Sequence, residues 1–270
     1  MRRSVWVTGM LGLAVLVLSA SCAQNRSSQP PTQPPAPAKN YSELRLVLQQ
    51  AVDSAGNIRP SRLRGVGVRL DAQLAGLAVT GPASTPALFA TPQERLAYWY
   101  NARLASELKL ALLQDLPQQL NLRKLHQSPL AIDGQEITVA QIDQILLREH
   151  GWEAMVAAPG VTSDSAAAPQ DIFEGETIEP LVRARLNQLI ADPRRFVVDN
   201  EGQRVLVPET IWGLHIELEQ SHNRRYGTQG ANLLTALLPF TSGPAQRRLQ
   251  DAMGYSIVPA EPSTALTVRN

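Results

Sequence analysis

The chain has 270 residues, with 25 Lys and Arg against 24 Asp and Glu, for a formal charge of +1. That balance gives no support to a nucleic-acid surface or a polybasic membrane patch. A composition that is 44% hydrophobic and 18% charged can build a core, and a single cysteine, Cys22, excludes an intrachain disulfide, so stability has to come from packing.

Arg2 and Arg3 precede an apolar run from Val5 to Leu18, followed by Ser19, Ala20, Ser21 and Cys22. A positive start, a short apolar stretch and small residues describe an export signal, and the run is shorter than a bilayer span requires. Because the small residues end on the only cysteine, the segment resembles a bacterial prolipoprotein signal, although Ser19 stands where such signals usually carry Leu. The resemblance implies removal of residues 1–21, lipid attachment at Cys22 and partnership with a membrane. The competing reading is an ordinary secretory signal with an incidental cysteine. Cleavage would remove Arg2 and Arg3 and take the charge from +1 to −1. Ala23, where an aspartate would signal inner-membrane retention, implies the outer membrane facing the periplasm.

Residues 22–40 form the expected lipid-attachment cysteine and linker, with prolines at 30, 31, 34, 35 and 37 and no large apolar side chain after Cys22. Such a stretch buries too little surface to offset its ordering entropy. As an extended chain its last eighteen residues would reach roughly 55 Å, at about 3.1 Å per residue.

A globular domain is expected over 41–270. Ser42 is read as the cap of a helix bearing Leu44, Val47, Leu48 and Ala51, closed by Gly56. Pro60 opens a second helix expected to run through Leu63, Leu70 and Leu77 to Gly81. Thr91, Pro92 and Glu94 are a cap, a first-turn proline and a third-position glutamate. They start a helix predicted over 92–113 whose wide apolar arc marks it as central. Asp133 and Gly134 predict a hairpin turn. Thr138 and Gln141 form a second capping box, for a helix to Arg148 stopped by Gly151. Residues 157–171, small and polar, read as a long mobile loop. A helix from Pro180 to Asp192 is followed by a second hairpin, with Phe196 to Val198 and Val205 to Val207 flanking Asn200 to Gly202. Further helices are expected over about 209–224, 231–238 and 245–253. The class is α+β, a predominantly helical single domain with two short β-hairpins.

Leu96-Ala97-Tyr98-Trp99-Tyr100-Asn101-Ala102 resembles the Ala-Phe-Trp-Ile-Asn-Ala-Tyr-Asn helix of the domain of unknown function family numbered 547. Gly56-Asn57-Ile58 resembles its early Gly-x-Val. Asp133-Gly134, Ile137-Thr138 and the run from Ile142 to Arg148 resemble its Gly-x-x-x-Ser/Thr-Leu-x-x-Ile-Glu-x-x-Ile-Leu-Arg. Tyr255 to Pro259 resembles its closing strand. In the same order, these cover nearly everything from Tyr41 onward. The departures are as informative. Arg103-Leu104 replaces the family's Tyr-Asn. Trp152 to Met155 and the 157–171 stretch stand where the family has a His-Phe-Ala-Leu run and a Ser-Cys-Pro segment. The resemblance therefore implies a fold, and a member without that histidine and cysteine.

No Gly-x-Ser-x-Gly elbow or phosphate-binding glycine loop is present. Trp99 and Asn101, with Arg148, are the candidate ligand pocket: an aromatic wall and an orienting amide, set against the simpler reading of a core tryptophan and a structurally paired asparagine. Arg148 at its helix end also suits the helix dipole. Arg103 and Glu107, four apart, read as a surface ion pair of little worth. His215, Glu219 and His222 fall on one side of a helix and are the weak metal candidates, or simply a solvated face. The expectation is a lipid-anchored cell-envelope protein, without cofactor or catalytic metal, that binds or scaffolds an envelope protein or small ligand and no nucleic acid. The alternative is a hydrolase-type or metal-dependent enzyme using Glu153, His215, Glu219 and His222.

Overall fold

Asn40 accepts a hydrogen bond from the Ser42 N–H at 3.0 Å and leads the chain into its first helix, α1 (Ser42–Ala51), in the computed structural model, which describes residues 38–261 and 263–267. The signal-like segment, Cys22 and the linker up to residue 37 lie outside the described residues. Ser42 is not the cap. Tyr41 holds that position and makes no side-chain cap bond, while Asn40 captures the free N–H of the first turn. Pro60 opens α2 (Pro60–Gly65), which breaks at Val66 before α3 (Gly67–Val79), so the single helix expected here is two.

The third start signal is fully realised. In α4 (Pro92–Leu113), the Thr91 side chain accepts from Glu94 N–H at 3.1 Å, and the Glu94 carboxylate accepts from Thr91 N–H at 3.2 Å. This helix packs against both α3 and α6, and is buried on nearly every face from Leu96 to Leu108. After α5 (Leu122–Gln127), β1 (Leu130–Ile132) and β2 (Gln135–Ile137) pair as the predicted antiparallel hairpin. Asp133 and Gly134 have φ of 53° and 77°, the left-handed pair that a two-residue turn needs. The Asp133 carboxylate is buried and accepts from the Ala83 and Ser84 N–H groups at 2.8 and 2.7 Å, fastening the hairpin to the turn that follows α3.

The second capping box starts α6 (Val139–Val156). Gly151 does not stop this helix: at φ 83° and ψ 176° it kinks the chain, and the helix resumes to Val156. Beyond it come α7 (Ile178–Ala191), β3 (Val197–Asp199), β4 (Arg204–Val207), α8 (Glu209–Trp212), α9 (His215–Tyr226), α10 (Leu233–Leu237), α11 (Gly243–Asp251) and β5 (Ser256–Pro259). The helix expected over 209–224 is divided at Gly213 and Leu214. The second hairpin exists, but β5 adds to β4 in parallel and makes it a three-stranded sheet. The fold is mainly helical α+β. Its apolar interior gathers around α1, α3, α4 and α6 on one side, and around α7, the three-stranded sheet and the last helices on the other.

The stretch 157–171 is a correction to the reading of a mobile loop. Ala157, Ala158, Val161, Ala166 and Ala168 are all buried. The chain end sews this stretch down: Ser163 N–H donates to Ala265 O at 3.1 Å and Thr267 N–H to Val161 O at 2.9 Å. The same end segment accepts at Thr264 from Leu120 N–H and at Thr267 from Ile58 N–H. Small side chains let these backbones approach closely enough to pair, which is why a segment poor in large apolar residues is nonetheless interior.

Candidate functional site

Asn101, Arg103 and Glu107 of α4 point inward and bond to the 157–173 segment. Asn101 is fully buried; its Nδ2 donates to Phe173 O and its Oδ1 accepts from Phe173 N–H, both at 2.9 Å. One amide thus pairs with a backbone as a neighbouring strand would, fixing the end of the 157–173 stretch. Trp99 is 4% exposed, lies edge-on to Tyr98 at 4.9 Å, and has a buried Nε1 without a hydrogen-bond partner among the described residues. The Tyr100 hydroxyl donates to Ala154 O at 2.5 Å. Arg148, the third member of the candidate pocket, is 71% exposed and pairs with Glu149 at 3.0 Å. It does not join the buried Trp99 and Asn101.

Arg103 and Glu107 are not a surface pair. Their side chains are 4% and 1% exposed, and 2.8 Å separates Arg103 Nη1 from Glu107 Oε1. Arg103 Nε also donates to Asp143 on α6 at 2.6 Å, and Nη1 reaches Pro159 O. The second Glu107 oxygen accepts from Val161 N–H at 2.8 Å. Burial works against the guanidinium charge, and Asp143 and Glu107 more than offset it, so Arg103 stays ionised. Consecutive turns of α4 thereby clamp the 157–171 stretch through its backbone.

On the far side of that stretch stands a residue the sequence reading passed over. Arg185 on α7 is 6% exposed. Its Nε donates to Ala157 O at 2.7 Å, its Nη2 to Ala167 O at 2.9 Å, and its guanidinium lies 5.3 Å from the centre of the Phe173 ring. Among the described residues no carboxylate pairs with it. Burial, with the nearby charges of Arg103 and Arg195, pushes its pKa down to about 10. Arg185 lines a cavity of about 450 Å³ between α7, the Asp53–Gly56 turn and the backbone of 166–170, with Arg194 and Arg195 also in its wall. Gly56 has φ +79°, and a Cβ there would meet Ala167 Cβ at 2.6 Å, so this glycine is what allows the turn to close on the stretch. The sequence did carry a signal for Arg185: it falls on the apolar stripe of Ile178, Val182, Leu186 and Leu189, where a charge is out of place.

Glu153 lines a cleft of about 590 Å³ with Glu149, His150, Glu179 and Arg225. His215 stacks on Trp212 with ring centres 4.6 Å apart, and its Nδ1 is 2.7 Å from Trp212 O. His222 lies 4.6 Å from the Tyr226 ring, and Glu219 is half-buried between them in sequence. Among the described residues, no three or more His, Cys, Asp or Glu are placed to hold one metal ion. Arg103, Glu107, Asp143, Arg185 and Phe173 are united by one backbone stretch. No protein-family model matches the chain, and neither a curated protein nor a solved structure matches it.

Proposed function

We propose that this is a lipid-anchored cell-envelope protein whose domain is a non-catalytic binding module, with the Arg185 cavity as its ligand site. The observation that carries the binding reading is an arginine buried, without a carboxylate partner among the described residues, in the wall of a cavity of about 450 Å³, a volume within the range of small-molecule sites. A buried charge is costly unless compensated, so its retention there argues for something that arrives with the opposite sign.

The anchor is supported by the sequence from Arg2 to Cys22. Three acyl chains, at about 0.8 kcal/mol per buried methylene, would hold the protein permanently on a bilayer, and Ala23 favours the outer membrane, facing the periplasm. We read the domain as a divergent member of the family numbered 547. The family's histidine and cysteine positions fall here on the helix after the Gly151 kink and on the clamped stretch, which supports a binding role over a catalytic one. Fractionating wild type beside Cys22→Ser tests the anchor: wild type is expected with membranes and the variant in the soluble fraction, and equal membrane retention would contradict it. A pull-down of the lipidated protein from envelope extract, with metal content measured on the same sample, tests for the partner. A near-stoichiometric transition metal lost in His215→Ala would favour the enzyme reading instead.

A further inference from the structure

We propose that the Arg185 cavity binds a small oxyanion, a carboxylate or phosphate group of a free small molecule, gripped by Arg185 with Arg195 beside it. This rests on the reading of the domain as a binding module and names the chemistry of its ligand.

A guanidinium offers five N–H donors in a planar fork suited to two oxygens of one anion. Arg185 directs Nε and Nη2 to the carbonyls of Ala157 and Ala167, and its side chain is part of the cavity wall, with Nη1 in neither of those bonds. The two carbonyls fix the plane of the fork, and the Phe173 ring backs it at 5.3 Å, so its orientation is set before any ligand arrives. Among the described residues no carboxylate is paired with it. Asp192 is shared by Arg194 at 2.8 Å and Arg195 at 3.4 Å. Asp53 accepts from the N–H groups of Ala55 and Asn57, both at 2.9 Å, and from the Asn57 side chain. Among the described residues, three arginines and two aspartates line the cavity, an excess of one positive charge. Arg195 is only 10% exposed, so a second largely desolvated cation stands at the same wall. An anion entering here relieves the charge that burial leaves uncompensated, a gain that exposed arginines cannot provide.

The test is calorimetric titration of the detergent-solubilised mature protein with inorganic phosphate and, separately, succinate, both at constant ionic strength set with chloride. Saturable binding of at least one, tighter than about 10 mM, is expected, with a melting temperature that rises as ligand is added. Arg185→Gln should weaken it at least about tenfold, as should Arg185→Lys, which keeps a charge but not the fork. Arg123→Gln, an exposed arginine on α5, should not change it. Should Arg185→Gln fail to fold, the Arg185 Nε–Hε resonance of the wild type, followed during the same titration, carries the test: it should shift saturably. No saturable response to either anion, or one that survives in folded Arg185→Gln, overturns the proposal. Binding only to anionic phospholipid vesicles, and to neither free anion, also overturns it by placing the source in a headgroup. Because the anchor is read by fractionation of Cys22→Ser, a negative titration with normal release of that variant removes the anion alone.

Discussion

Replacing Arg103 by methionine isolates the cost of the buried clamp. The substitution keeps most of the aliphatic volume but leaves Glu107, at 1% exposure, and Asp143, at 17%, without their cation, and deprives Pro159 O of its donor. Removing one partner of a buried pair typically costs about 3–5 kcal/mol, against about 5–15 kcal/mol for the stability of a whole domain. At roughly 2–4 °C per kcal/mol for a domain of this size, melting should fall by roughly 6–20 °C. Arg103→Met combined with Glu107→Leu removes the stranded carboxylate at 1% exposure, so the double variant should be more stable than the two single losses added together, by about 0.5–3 kcal/mol. Urea unfolding followed by circular dichroism gives all three values. If Arg103→Met costs less than about 1 kcal/mol, or the two losses simply add, the pair behaves as a solvated surface bridge and the clamp is refuted.

Limited proteolysis should spare the 157–171 stretch in wild type and cut it in Arg103→Met, because opening follows local stability; cutting in wild type first at this stretch would contradict its burial. Trp99→Ala should cost about 3–5 kcal/mol in the same unfolding assay, and a melting point within a degree or two of wild type would place Trp99 at the surface. Asn101→Leu strands the N–H and C=O of Phe173 and should cost at least about 2 kcal/mol, at about 1–3 kcal/mol per unsatisfied group; a neutral result would mean that another donor and acceptor replace the amide. Burial holds the His150 pKa below its ordinary value of 6.5, with Arg95 adding to this and Glu149 opposing it. In this window the unfolded chain binds the extra proton and the native one does not, so stability falls as pH drops from 6.5 toward the lowered value. His150→Phe should flatten that decline in melting temperature between neutral pH and pH 5, with Glu149, Glu153, Glu179 and Arg225 of the same cleft unchanged; an unchanged slope would dismiss His150 as the source.

What was legible in the sequence was local. Thr91 with Glu94, Thr138 with Gln141, and Asp133 with Gly134 each state a backbone geometry within four residues, and each stands where it was read. What was hidden depends on partners far along the chain. Ala157 to Gln170 has the composition of a solvated loop, and it is interior because Arg103, Glu107, Arg185 and the segment near Ala265 bond to its backbone. Arg103 and Glu107 show ion-pair spacing whether solvated or buried; the distinguishing clue was that Tyr100, Leu104 and Leu108 left no polar face for them to occupy. The parallel partnership of β4 with β5 joins residues some fifty positions apart and has no local signature. Of the candidate site, Trp99 and Asn101 were found but serve the interior, while Arg185 was overlooked because a lone arginine in a helix is ordinarily assigned to solvent.

The central claim, a binding domain carried on a lipid tether, is tested most directly by the intact mass of the protein purified from membranes. The account predicts a chain beginning at Cys22 and carrying the added mass of three acyl chains on that residue. A chain that begins elsewhere, or one with an unmodified Cys22, would contradict it.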